Sequence, residues 1–198
     1  MTSYDLTSAL LVVDVQNDFA DPAGSLAVSG GADVIPFINA QVQAALAAGA
    51  HVFYTQDWHP PVTPHFEKDG GVWPVHCVAG TWGAELHPGL LVAGPVVRKG
   101  RNGEDGYSGF TMRHPQTGET EPTELDDLLK TSGVSHVTIV GLATDYCVLA
   151  TGLDARARGY TTTVLAAGIR AVDLAEGDGD RAIAQLRLAG AFVDESAA

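Results

Sequence analysis

Short runs of aliphatic and β-branched residues alternate with segments of helical periodicity along most of this 198-residue chain. The strand-like runs occupy residues 9–15, 51–57, 95–99, 136–142, 161–166 and 191–193. The helical patterns cover residues 34–48, 123–133, 145–158 and 180–189. Strands that alternate with helices favour a parallel sheet covered on both faces. We therefore expect an α/β fold, with a single domain over residues 1–198 and an open parallel sheet of about six strands with helices on both faces.

The composition supports a folded core and excludes some partners. The chain is 45% hydrophobic and long enough to bury the core of one domain. Its formal net charge of −13 argues against a nucleic-acid groove or an anionic membrane surface, because both need clustered Lys and Arg. Residues 1–5 lack the basic region of a signal peptide, and no apolar stretch approaches membrane-spanning length. With only two cysteines, Cys77 and Cys147, we expect reduced thiols and a cytoplasmic location.

Three reactive residues stand where strand-like runs end. Asp14 follows the core of the first run, Lys99 ends the third, and Cys147 lies just beyond the fourth. Ligands of open α/β sheets bind outside the carboxyl ends of the strands, so we expect these side chains to converge. Taken singly, Asp14 also suits a turn, Lys99 a solvated strand end and Cys147 a packing position. Together they supply a base, a cation and a nucleophile.

The surroundings of Cys147 favour the nucleophile, because Gly141–Cys147 has the pattern of a strand, a tight turn and a helix start. A thiol in the first turn of a helix feels the positive end of the helix dipole. We therefore expect a lowered thiol pKa and a thiolate at Cys147. The free N–H groups of such a turn could also hold an oxyanion.

A second group of polar residues begins at the end of the second strand and continues through a long Pro-, Gly-, His- and Trp-rich segment at 58–91. A connection of this length is typical of a lid or binding loop. Asp57 and His59 lie two residues apart, and His65 or His76 could complete a ligand set for a divalent metal ion. Hydrogen-bonded loop histidines would explain the same pattern. The aromatic candidates for pocket walls, or equally for loop anchors, are Phe19, Trp73 and Tyr107.

The motifs that carry these residues resemble those of a known family in their order along the chain. They are Asp14-Val15-Gln16-Asn17-Asp18-Phe19, Gly24-Ser25-Leu26-Ala27-Val28, Asp57-Trp58-His59, Trp73-Pro74-Val75-His76-Cys77-Val78 with Gly80-Thr81, Lys99-Gly100, Tyr107-Ser108-Gly109-Phe110 and Gly141-Leu142-Ala143-Thr144-Asp145-Tyr146-Cys147-Val148. In this order they resemble the nicotinamidase/pyrazinamidase branch of the isochorismatase-like cysteine hydrolases. The resemblance covers nearly the whole chain and implies a single isochorismatase-like hydrolase domain.

The resemblance also implies roles for individual residues. The implied catalytic groups are a triad of Asp14, Lys99 and Cys147, with an oxyanion hole from the backbone N–H groups of Ala143 and Cys147. The implied metal ligands are Asp57, His59 and His76, with His65 matching an additional ligand of related pyrazinamidases. The implied walls around the substrate ring are Phe19, Trp73 and Tyr107. A cis peptide between Leu142 and Ala143 is implied as well.

The activity implied by the resemblance is hydrolysis of nicotinamide to nicotinate and ammonia through a cysteine thioester, in NAD salvage, with pyrazinamide as a further substrate. Zinc is the expected metal, with iron and manganese as alternatives. A cysteine amidase for another small amide, such as an N-carbamoyl compound, remains an alternative, as does a non-catalytic ligand-binding member of the fold. The oligomeric state is open, a homo-oligomer included. Tyr146 stands where relatives often have His, which bears on substrate preference.

Overall fold

The computed structural model describes residues 4–196. The strands in these residues are β1 (Ser8–Val13), β2 (His51–Asp57), β3 (Val96–Lys99), β4 (Thr111–Arg113), β5 (Thr120–Pro122), β6 (His136–Leu142), β7 (Thr161–Arg170) and β8 (Phe192–Asp194). The α-helices are α1 (Asn17–Ala20), α2 (Ile35–Ala47), α3 (Leu125–Thr131), α4 (Leu149–Ala157) and α5 (Asp178–Leu188). Among the same residues, no helix is long and apolar enough to cross a membrane.

Six strands form one parallel sheet in the order β3-β2-β1-β6-β7-β8. From β1 the chain builds outward through β2 and β3, and it later builds outward on the other side through β6, β7 and β8. The direction of building therefore reverses between β1 and β6. In open α/β sheets the ligand crevice lies at such a reversal, outside the carboxyl ends of the strands. The predicted α/β fold, with an open parallel sheet of about six strands, is confirmed.

Helices cover both faces of the sheet. Successive residues of a strand point to opposite faces, so both sets of side chains contribute to a core. Leu10 and Val12 of β1 belong to a core that includes Ile38 and Val42 of α2. Their neighbours in β1 face the opposite core, which includes buried residues of α3, α4 and α5; these are Leu129, Ala155 and Leu186. The completely buried pattern of β1 follows from this covering on both sides.

The structure adds three features to the predicted elements. The stretch after β3 contains a small antiparallel hairpin of β4 and β5, where only irregular chain was expected. β7 continues to Arg170, beyond the expected end at 166. The helix expected over 145–158 begins as a π-helical segment, Thr144–Val148, and becomes α-helical at Leu149. This segment presents Cys147 to the carboxyl ends of the strands.

Candidate active site

Asp14, Lys99 and Cys147 meet at the carboxyl ends of β1, β3 and β6. The Lys99 Nζ atom lies 3.0 Å from Asp14 Oδ2 and 3.7 Å from Cys147 Sγ. Lys99 also donates a short hydrogen bond to Asp57 Oδ1. All four side chains are buried. The structure therefore brings the predicted base, cation and thiol together in one cluster, with Asp57 beside them.

Thr55 of β2 fixes the position of Asp14. Asp14 follows β1 with a φ of 48°, in the left-handed region that few residues other than glycine adopt. Its N–H donates to the Thr55 carbonyl at 3.3 Å, and the Thr55 hydroxyl donates to Asp14 Oδ1 at 2.6 Å. A buried carboxylate needs such partners. Sequence reasoning missed Thr55, although a hydroxyl inside a buried strand was an available signal.

Gln16 provides a second link between the end of β1 and the end of β2. Its side-chain Nε2 donates to the Asp57 carbonyl at 2.7 Å, and its Oε1 accepts from the Asp57 N–H at 2.8 Å. The buried Gln16 amide thus binds both backbone polar groups of Asp57, the last residue of β2. Sequence reasoning also missed this role, because Gln16 stands among the polar residues Asp14, Asn17 and Asp18 and nothing local distinguishes it.

The prediction of a lowered pKa and a thiolate at Cys147 is wrong. Burial raises the pKa of the Cys147 thiol well above its usual value, against the opposing charge of Lys99 and with reinforcement from Asp14. The loss of solvent outweighs the favourable helix start, because the thiolate would sit away from water and beside carboxylates. Burial also raises the pKa of Asp14, although Lys99 opposes this change. The cluster is therefore suited to transfer of the thiol proton to Asp14 during attack.

Three histidines from the segment between β2 and β3 lie beside this cluster. The ring centroids of His59 and His65 are 4.7 Å apart, and that of His76 lies 5.4 Å and 5.2 Å from them. Each ring offers a nitrogen within 4.8 Å of the other two. Asp57 Oδ2 lies 3.9 Å from His59 Nε2. All four predicted metal ligands are therefore adjacent, although Asp57 uses its other oxygen to bind Lys99.

The chemistry of these histidines suits a divalent metal ion. Within residues 4–196, neither ring nitrogen of the buried His59 has a hydrogen-bond partner. His76 Nδ1 lies 2.7 Å from the Pro74 carbonyl oxygen, which makes its other nitrogen the one available to a metal. Burial lowers the pKa of His59 and of His65 to about 4, so both are neutral at pH 7. Metal binding requires neutral imidazoles, so the site fits a divalent ion.

Burial and charge act in opposite directions on the pKa of Asp57, the fourth of the predicted metal ligands. Burial alone would favour the neutral acid at Asp57. The Lys99 ammonium nevertheless lowers the pKa of Asp57 below its usual range. Asp57 is therefore a carboxylate at pH 7, as a metal ligand must be.

A small pocket opens onto Cys147 and onto two of the histidines, His65 and His76. Its lining includes Ala143 and the three aromatic residues expected around a substrate ring, Phe19, Trp73 and Tyr107. Trp73 Nε1 donates to the Tyr107 hydroxyl at 3.0 Å, which holds two of these walls together. The peptide between Leu142 and Ala143 is cis, which confirms that expectation.

Three further pocket residues were not predicted, namely Leu26, Val28 and Val172, and Tyr146, singled out above for substrate preference, lines the pocket as well. The Tyr146 ring packs edge-on against Trp73 and Tyr107, with centroid distances of 4.9 Å and 5.2 Å. Its position next to Cys147 was a signal for this role. Val172 had no such signal in the sequence, because it enters the pocket from beyond β7. The Asp145 carboxylate fixes it there by accepting the Val172 N–H at 3.0 Å.

Comparison with known proteins adds evidence of relationship. The isochorismatase domain family matches residues 8–198. The nicotinamidase of Escherichia coli (strain K12) is 36% identical over 201 residues, which cover 92% of each chain. The structure of Pyrococcus horikoshii pyrazinamidase in complex with zinc is similar, with a TM-score of 0.85, 35% identity and coverage of 95% of this chain and 98% of that one. PnC1 from L. infantum in complex with nicotinate has a TM-score of 0.87, 34% identity and coverage of 99% and 96%.

Proposed function

The chain belongs to the isochorismatase family, and we propose from this membership and from its site that it is a nicotinamidase that converts nicotinamide to nicotinate and ammonia. Pyrazinamide is a second substrate in this proposal. The similarity to nicotinamidases and pyrazinamidases supports the assignment and does not favour an N-carbamoyl amidase. The presence of all three reactive groups also argues against a non-catalytic binding module.

One observation carries the proposal: a carboxyl group, an ammonium group and a thiol converge at the base of an aromatic-walled pocket bordered by histidines. An amide nitrogen is a poor leaving group, so hydrolysis needs a strong nucleophile and an acid that protonates the departing nitrogen. Asp14, Lys99 and Cys147 supply these functions in this proposal.

In the first half of the reaction, Cys147 Sγ attacks the carboxamide carbon while Asp14 takes the thiol proton. The pKa values of Asp14 and Cys147 are both raised, which supports transfer of the proton between them. Lys99, at 3.0 Å from Asp14 and 3.7 Å from Cys147, balances the negative charge that develops on sulfur. The N–H groups of Ala143 and Cys147 hold the oxyanion. Asp14 then protonates the nitrogen, ammonia leaves, and a thioester remains on Cys147.

In the second half, water attacks the thioester while Asp14 takes a proton from it. Collapse of the tetrahedral intermediate breaks the carbon–sulfur bond, Asp14 returns its proton to Cys147, and nicotinic acid leaves and ionises to nicotinate in water. The same carboxyl group therefore acts as base and acid in both halves. The Thr55 hydroxyl, at 2.6 Å, keeps that carboxyl group in place.

His59, His65, His76 and Asp57 would hold a divalent metal ion, with zinc proposed ahead of iron or manganese. When bound there, the ion supplies a Lewis-acid site for the ring nitrogen and so orients the carboxamide. The aromatic walls position the ring from the sides. Accurate positioning of this kind can account for several kcal/mol of the barrier. A neutral amide substrate also tolerates the acidic protein, and NAD salvage in the cytoplasm is the setting we propose.

The test is release of ammonia from nicotinamide by the purified protein, with zinc, iron and manganese measured on the same sample. Turnover of nicotinamide well above that of an N-carbamoyl compound is expected. The opposite preference would overturn the assignment, and no turnover of either would favour a binding function.

A second test uses benzamide, which lacks the ring nitrogen. We expect poor benzamide turnover, and we expect chelation to reduce nicotinamide turnover toward that low level. Equal turnover of benzamide and nicotinamide by the metal-loaded protein would contradict orientation through the ring nitrogen.

A further inference from the structure

Asp18 is a buried carboxylate that the reaction itself does not use. It lies in α1, next to the pocket residue Phe19, and its side chain binds backbone N–H groups from two distant segments. Oδ1 accepts from the Ser25 N–H at 3.0 Å, and Oδ2 accepts from the Cys77 N–H at 2.7 Å. The first bond anchors the segment that carries the pocket residues Leu26 and Val28. Hydrogen bonds to a charged carboxylate are among the strong ones.

The bond to Cys77 leads directly to the histidine cluster. Cys77 follows His76 in the chain, and its carbonyl accepts the His59 N–H at 3.0 Å. A single residue, Cys77, thus joins Asp18 on one side to the backbone of two cluster histidines on the other. Its φ is 45°, in the left-handed region that residues other than glycine rarely adopt without support from their surroundings.

The surroundings of Asp18 leave its carboxylate little freedom to move. Gly83 packs against it so closely that a Cβ atom at that position would lie 2.1 Å from Asp18 Oδ2. The Asp18 main-chain oxygen also accepts the Leu26 N–H at 3.1 Å. Both carboxylate oxygens therefore have a fixed partner. One of these partners is the N–H group of Cys77, which holds the backbone next to His76 in place.

We propose that Asp18 is a positioning residue for metal binding, which holds His76 and His59 in their ligating arrangement through the Cys77 peptide. The inference rests on the proposed metal-dependent function and extends it to a residue that contacts neither metal nor substrate. Partners one step removed from metal ligands typically change metal affinity by about 10- to 100-fold when they are lost. An effect of this size is expected for Asp18.

The experiment measures zinc affinity of the metal-free protein by competition with a chromophoric chelator, for wild type, Asp18→Asn and Asp21→Asn. Asparagine is isosteric but presents an NH₂ group to one of the two backbone donors, so one bond is lost. Asp21 lies just after α1 and its carboxylate accepts only the Ala23 N–H at 2.8 Å among backbone groups in the described chain. It is therefore a matched control for the loss of one negative charge.

We expect the zinc dissociation constant of Asp18→Asn to rise about 10- to 100-fold, with that of Asp21→Asn unchanged. Excess zinc should restore most of the turnover of Asp18→Asn, which a general loss of structure would not allow. Asparagine can keep its oxygen on the Cys77 N–H, whereas a methyl group at Gly83 displaces the oxygen that binds Cys77. Wild-type zinc affinity in both Asp18→Asn and Gly83→Ala would therefore overturn the inference. A wild-type protein that neither binds zinc nor hydrolyses nicotinamide would instead refute the proposed function.

If Asp18→Asn does not fold, Gly83→Ala provides the second variant. Its methyl group displaces the Asp18 carboxylate without changing any charge, because of the 2.1 Å approach. Weaker zinc binding in Gly83→Ala supports the positioning role, and unchanged affinity overturns it.

Discussion

The substitution Thr55→Val removes the hydroxyl that holds Asp14 and preserves the shape of the side chain. Thr55 is buried in β2, and its Oγ1 donates to Asp14 Oδ1 at 2.6 Å. Valine leaves this carboxylate oxygen without its donor in a region that excludes water. The carboxyl group then loses one of the contacts that aim it at Cys147.

The size of the effect follows from the charge on the acceptor. A hydrogen bond to a charged group contributes about 1.5–3 kcal/mol. If the bond supports the transition state fully, its loss lowers kcat by about 10- to 150-fold, since each 1.36 kcal/mol is a factor of ten. The metal ligands do not contact this hydroxyl, so zinc affinity should remain that of the wild type.

The assay is kcat for nicotinamide in wild type, Thr55→Val and Thr55→Ser. Serine keeps the hydroxyl and loses only the methyl group, so it should retain most of kcat. Urea unfolding of each variant separates a loss of catalysis from a loss of folded protein. Wild-type kcat in Thr55→Val, or equal losses in both variants, would refute the role assigned to this hydrogen bond.

Four further substitutions test other parts of the structure. Cys147→Ala should lose nearly all nicotinamide turnover and change the free energy of unfolding by only about 1 kcal/mol; turnover near wild type would exclude a thioester. Gly100→Ala should weaken zinc binding by about tenfold or more in the chelator assay, because its Cβ would meet His59 Nδ1 at 2.6 Å with φ at 79°, and unchanged affinity would contradict this. Leu186→Ala should lower the free energy of unfolding in urea by about 2–5 kcal/mol. The exposed Leu188→Ala should change it by less than about 0.5 kcal/mol, and equal effects would refute the assigned core.

The main sheet could be predicted because buried parallel strands leave a strong sequence pattern. The continuous apolar run that forms β1 is typical of a strand covered on both faces. The hairpin of β4 and β5 left no such pattern, since each strand has three residues and Thr120–Pro122 is exposed. The extension of β7 to Arg170 passes through Gly168, a residue that weakens strand predictions.

In the candidate site, some residues could likewise be found from their position in the sequence, whereas other properties depend on packing in the folded chain. Asp14 and Lys99 could be found because they end apolar strands. The pKa of Cys147 could not, because it depends on how completely other segments exclude water from the thiol. Thr55 and Asp18 bind partners that are 41 and 59 positions away, Asp14 and Cys77, so no local pattern connects them. Hydrogen-bond partners at such separations emerge only from the assembled fold.

The reactive groups and the aromatic walls are carried by different kinds of structure. Asp14 and Lys99 are fixed at the ends of strands in the buried sheet and Cys147 in the helical segment that follows β6, whereas Trp73 and Tyr107 lie in connections between elements. Connections tolerate insertion and substitution better than the strands they join. Substitutions in these connections could therefore change which amide is the substrate during evolution, while the reactive side chains keep their positions. Selection for new substrates in the laboratory should accordingly begin with the loops and leave the strand ends untouched.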